Sequence, residues 1–117
     1  MSYTLLSGTL VTSVGTPKTI PVNKAGILFQ AILKGTAAQA VSATVVLYGS
    51  SDPLVCAGDT TNTSKVTLAT FSLSGTGAAI TPADSGIWAV TVPYSRFWAE
   101  VTAIAGTGAA VTVVAST

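Results

Sequence analysis

The stretch RFWAEVTAIAGTGAAVTVVAST, residues 96–117, decides the fold class. Over Arg96–Ala105 the residues alternate with a period of two, the spacing of a strand whose successive side chains point to opposite sides. Phe97, Ala99, Val101, Ala103 and Ala105 fall on the face assigned to the core, and Arg96, Trp98, Glu100, Thr102 and Ile104 on the outer face. Gly106-Thr107-Gly108 then breaks the alternation ahead of a second β-branched run. Glycine takes up positive φ without steric cost, so this segment is expected to be a hairpin turn between antiparallel strands.

A glycine loop that cradles phosphate would instead feed backbone amides and a helix N-terminus toward the anion. The segment after Gly108 is strand-like, with neither a Lys-Ser/Thr pair nor a ribose-binding acid at the required spacing. The phrase recurs as LSGTGAAIT at 73–81 and, weaker, as GTAAQA at 35–40, but the flanking sequences diverge at once. Recurring turn chemistry explains this better than a repeat architecture.

Outward from that hairpin, Val, Thr, Ile and aromatic residues recur in short runs separated by Gly, Pro, Asp, Asn and Ser, and helical periodicity is nowhere sustained. Strands are predicted near 3–11, 17–23, 27–34, 42–49, 65–73, 86–92, 96–105 and 109–116. In KVTLATFSL, residues 65–73, the apolar phase slips from Val66 and Leu68 to Phe71 and Leu73, which predicts a bulge near Ala69 and Thr70 or a strand that changes sheets. Pro17 and Pro21 confine the segment between them to an edge or a bulge. Trp88, in phase with Val90 and Val92, is expected in the core. The resulting fold class is all-β: one β-sandwich domain over residues 1–117 with about eight strands, jelly-roll-like or immunoglobulin-like, a small barrel being the other closure.

Composition narrows the function. Charged residues make up 8% of the chain, against about a quarter in an ordinary soluble domain. Such a surface stays wet through hydroxyls or is covered by partners, since net charge near zero promotes association. The five basic residues are scattered and the net charge is +1, which argues against nucleic-acid binding through counterion release. No apolar run approaches the roughly 18 residues of a membrane-spanning helix, and the opening MSYTLLSGTLVTSVGTPK has no basic leader, so neither a membrane nor a secretory signal is expected.

The chain has no histidine, which removes the commonest general base and metal ligand and every Ser-His or Cys-His nucleophile pair. Cys56 stands alone and reads as a small buried hydrophobe. The carboxylates are Asp52, Asp59, Asp84 and Glu100. Asp84 with Glu100 is the only pair that suggests a hydrolase, and nothing local brings them together. Asp52, Asp59 and Asn62 offer oxygen ligands without the spacing of a calcium loop. No catalytic, metal or cofactor site is expected. Trp98 between Arg96 and Glu100 is a better candidate, because Trp and Arg are enriched at binding hot spots; the alternative is a partly covered Trp beside a surface ion pair. Tyr94, and Asp52 and Asp59 in the polar 50–64 loop, complete the expected partner interface, with the 75–86 loop as a further contact.

Three segments, ATVVLYGSSDP (43–53), TFSLSGTG (70–77) and PYSRFWAEVTAIAGTGAAVTV (93–113), together with the Thr/Ala/Val-rich texture, resemble the small all-β virion proteins encoded in the structural-gene clusters of tailed bacteriophages. The likeness runs from about residue 41 onward and rests on turn-and-strand patterns. It implies a non-enzymatic virion component, foremost a decoration or cement protein on the capsid surface, made in the host cytoplasm. Its partners would be the major capsid protein and copies of itself in a small oligomer. A tail, head-tail or fibre-base component, including a carbohydrate-binding one that stacks sugars on Trp98, Tyr48, Tyr94 or Tyr3, is the alternative.

Overall fold

The structure, a computed structural model, describes residues 2–15, 17–20, 27–36, 39–50, 66–76, 85–90 and 96–116. These residues form strands β1 (Ser2–Thr9), β2 (Ser13–Val14), β3 (Lys18–Thr19), β4 (Ile27–Lys34), β5 (Ala40–Ser50), β6 (Val66–Thr76), β7 (Ser85–Val90), β8 (Arg96–Ala105) and β9 (Ala110–Ser116), and no helix. The all-β expectation holds. Strands β4 and β8 coincide with the predicted 27–34 and 96–105, while the two-residue β2 has too little alternation to be read from sequence.

The strands build two antiparallel sheets. One has the order β1-β9-β4-β7; in the other, β2 and β3 both pair with β8 on one side and the order continues β8-β5-β6. Pro17 lies between β2 and β3 and supplies no amide donor, so the two act as one interrupted edge strand, as Pro17 required; Pro21 lies outside the described residues. The pairs nest, from β1 with β9, through β2 and β3 with β8 and β4 with β7, to the innermost β5–β6 hairpin. That order is a jelly roll rather than an immunoglobulin sandwich.

The core lies between the sheets. Strand β4 turns Ile27, Phe29, Ala31 and Leu33 inward and β9 adds Val111, Val113 and Ala115; from the other sheet come Val45 and Leu47 of β5, Phe71 and Leu73 of β6, and Phe97, Ala99 and Val101 of β8. Each large aliphatic or aromatic side chain taken out of water in this way contributes about 1.5–3 kcal/mol. The rings of Phe29 and Phe97 meet across the gap with centroids 5.2 Å apart and planes tilted by 50°, which ties β4 to β8 at the centre.

Bulges decide which face each residue takes. In β8 the register jumps from Val45↔Val101 to Thr44↔Ala103, leaving Thr102 as an extra residue. Beyond it the alternation inverts. Ala103 and Ala105, assigned to the core from sequence, are exposed, and Ile104, assigned outward, packs against the core. In β6 the shift from Leu47↔Ala69 to Tyr48↔Thr67 leaves Leu68 as the extra residue, next to the site that the phase slip marked. The strand stays in one sheet. Trp88 pairs through its backbone with Phe29; its side chain lies outside the described residues.

Gly106-Thr107-Gly108 is the expected turn between β8 and β9, with φ of 108° at Gly106 and 66° at Gly108 and the Ala109 amide donating to the Gly106 carbonyl at 3.3 Å. The Thr107 hydroxyl also hydrogen-bonds the Gln39 side-chain oxygen at 2.9 Å. The glycines are required by packing as well as by φ, because a Cβ at Gly106 would stand 2.6 Å from the Ala40 carbonyl oxygen.

Candidate partner interface

The outer face of the five-stranded sheet holds the residues singled out from sequence. Register places Arg96 between Thr19 and Ser50, Trp98 opposite Tyr48, and Glu100 between Val14 and Val46. Residues directly opposite across antiparallel strands share a face. Arg96, Trp98 and Glu100 therefore form one row along β8, as the alternation implied.

Trp98 differs from an open anchor. It is 3% exposed in the single chain yet lies apart from the inter-sheet core cluster, and its ring stacks on Tyr48 with centroids 5.6 Å apart and planes 28° from parallel. Tyr48 is tied in turn to Glu100. Burial, the negative charge of Glu100 and a hydrogen bond donated to its carboxylate together raise the Tyr48 hydroxyl above its ordinary pKa. Arg96 and Glu100, two residues to either side of Trp98 along β8, are half-buried. This row is a braced aromatic cluster, and a partner would meet its rim. Tyr94, Asp52 and Asp59 lie outside the described residues, as do the 51–65 and 77–84 segments of the two loops.

Local sequence does not single out Tyr48 as the support of Trp98, because the two are brought together only by the β5–β8 pairing, fifty residues apart in the chain. The second outer face is a further addition from the structure. On the four-stranded sheet, Leu28, Gln30, Ile32 and Lys34 of β4 point outward beside Ala110, Thr112, Val114 and Ser116 of β9. Leu28 is 52% exposed, and Lys34 is the only charged side chain on this face among the described residues. Its signal lies in the stretch ILFQAILK, where apolar residues occupy both phases; a strand with one wet face alternates cleanly instead.

Leu10 and Val11 add an apolar tip, exposed by 63% and 65%. The flanking registers Thr9↔Val111 and Ser13↔Val101 place this tip at the same end of the sandwich as the Gly106–Gly108 turn. Along the side where β1 approaches β2 and β3 runs an open groove of about 360 Å³, lined by Leu5, Leu6, Val14 and Lys18 among others. The Lys18 ammonium donates to the Thr4 carbonyl, tying the two sheet edges together there.

Among the described residues there is no group of three or more Cys, Asp or Glu side chains that could hold a metal ion, and no helix long and apolar enough to cross a membrane. Comparison with protein-family models, with curated proteins and with solved structures finds no match.

Proposed function

We propose that the chain is a non-enzymatic structural subunit of a tailed-bacteriophage virion, a decoration or cement protein that binds the head shell as a small oligomer. The observation that carries this reading is the outer face of the four-stranded sheet. Leu28 is exposed there and Ile32 and Val114 are half-buried near it, on a strand pair whose one charged side chain is Lys34, where an ordinary wet face would carry more charge. An exposed leucine flanked by partly open apolar side chains, on a face with so little charge, suits a surface that another protein covers. The jelly-roll order is compatible, being common to capsid and lectin domains, and by itself it selects neither. The phage assignment rests on the resemblance of the 43–53, 70–77 and 93–113 segments.

A cement protein binds assembled shell and not its dissociated parts, and so stabilises the shell by mass action. The test is to mix purified protein with phage heads that lack it, measure co-sedimentation, and compare the heat resistance of decorated and bare heads. Saturable binding with a raised temperature of head disruption supports the reading. Failure to sediment with heads overturns it, and labelling of tails alone moves the subunit to the tail. A sugar-stacking role at Trp98 has little support, because Tyr48 occupies one face of an indole that is already buried.

A further inference from the structure

We infer that β6 is the element through which two copies of this chain join, edge to edge and antiparallel across a twofold axis, extending the five-stranded sheet into its copy. The inference deepens the oligomer part of the proposed function and rests on it for biological context; its physical basis is the edge itself. A strand at the end of a sheet leaves one row of amide and carbonyl groups for another strand to pair with, and proteins blunt such edges with bulges, prolines, charges or brevity.

This chain blunts the opposite side of the sandwich. Strand β1 carries register shifts between Thr4 and Leu6 and between Leu6 and Thr9, while β2 and β3 are two residues each with Pro17 between them. Strand β6 is the opposite case. It runs for 11 residues, Val66–Thr76, ends the strand order beyond β5, and contains no charged residue and no proline. Its one bulge, at Leu68, lies near its beginning, and the register from Ala69 to Thr76 is uninterrupted. Among the described residues no strand pairs with its outer edge.

The edge suits its own copy. An antiparallel strand pairs with itself under twofold symmetry, so one patch serves both subunits. With the axis near Ser72, the exposed Thr70, Ser72 and Ser74 of one copy would line up with the same hydroxyl residues of the other, a favourable kind of cross-strand row. The inward Phe71 and Leu73 would continue the apolar layer beneath. An uncharged strand neither repels its copy nor offers ionic complementarity to a different partner.

The test is sedimentation of the full chain over a range of concentrations, for wild type, Ser72→Lys, Ser72→Glu and an equimolar mixture of the two variants. Ser72 is exposed on the outer face, and like charges directly opposite each other across strands are destabilising. The expected result is a rise with concentration from the mass of one chain to that of two for wild type, the mass of one chain for each variant alone, and recovery of the double mass in the mixture. Wild type that keeps the mass of one chain overturns the inference. Variants that associate as wild type does also overturn it, while leaving self-association through another surface, and with it the proposed function, intact. Amide exchange on wild type is independent of how the variants fold: protection in 69–76 that grows with concentration supports the inference, and concentration-independent exchange there sinks it.

Discussion

Tyr48 and Trp98 face each other across β5 and β8, their rings stacked at 5.6 Å on the outer side of the sheet and the indole almost wholly shielded from water. A tryptophan so placed stabilises the free chain before any partner arrives. Trp98→Ala is therefore expected to lower the unfolding free energy by about 3 kcal/mol or more, as removal of a buried aromatic does. The check is the denaturant midpoint of the isolated protein at constant slope. An unchanged midpoint combined with weaker partner binding would show instead that Trp98 serves only an interface.

The same pair gives a pH dependence whose sign is fixed. The Tyr48 hydroxyl has its pKa raised from 10.0 by burial, then by the Glu100 charge and the hydrogen bond to it. Below about pH 10 the hydroxyl is protonated both folded and unfolded, and its contribution is fully present. As pH rises further the unfolded chain releases the proton first, so stability falls until the folded-state pKa is passed. Tyr48→Phe lacks this group, and its stability is expected to fall less steeply above about pH 10 than that of wild type. Parallel curves would show that Glu100 and burial do not bias the hydroxyl.

Sequence revealed local geometry well and long-range geometry poorly, for a physical reason. Gly106-Thr107-Gly108 was legible because a positive-φ turn needs particular residues at particular places. The β6 bulge was legible because its flanking apolar residues change phase. The β8 bulge was hidden because Ala103, Ile104 and Ala105 are all apolar and give no sign of inversion at Thr102. The choice between jelly roll and immunoglobulin sandwich rests on pairings such as Ser2↔Ser116 and Leu28↔Ser116, which no local pattern encodes. Part of the candidate interface was legible in the same sense: alternation placed Arg96, Trp98 and Glu100 in one row, but only pairing with β5 supplies the tyrosine that braces it.

Glycines with positive φ separate conformational strain from packing. Gly8 has φ of 58° and open space where a Cβ would stand, whereas Gly106, at φ of 108°, would place a Cβ 2.6 Å from the Ala40 carbonyl oxygen and 2.8 Å from the Val41 Cα. Gly8→Ala is expected to cost about 1–2 kcal/mol, the left-handed penalty alone. Gly106→Ala carries the strain of a positive φ that L side chains rarely adopt, about 1–3 kcal/mol, and must also displace the start of β5. Thermal denaturation of the two variants is expected to rank Gly106→Ala clearly below Gly8→Ala. Equal effects would mean that the turn does not rest on the start of β5.

Phe29 and Phe97 provide the most direct measure of how the two sheets are held together, since each comes from a central strand of its own sheet and both are fully buried. Either residue changed to Ala is expected to destabilise by about 3–5 kcal/mol. The double variant is expected to lose less than the sum, with a coupling of about 0.5–1.5 kcal/mol for the tilted ring pair. Strict additivity in a double-mutant cycle would show that the rings do not interact across the gap.

The outer face of the four-stranded sheet separates binding from folding. Leu28 is half-exposed on β4, with its backbone between Ser116 of β9 and Ala89 of β7, so a long charged side chain can extend into water there without entering the core. Leu28→Lys is expected to change the unfolding free energy by no more than about 0.5 kcal/mol, the range for an ordinary surface substitution. If this face covers the shell, the same change buries an unpaired ammonium against an apolar partner. Retention on phage heads is then expected to weaken about tenfold or more, equivalent to about 1.4 kcal/mol, with no change in circular dichroism or melting temperature. Heads that bind the Lys variant and wild type equally would show that the shell is met through another surface, and the exposed Leu10–Val11 tip at the Gly106–Gly108 end would be the next to change.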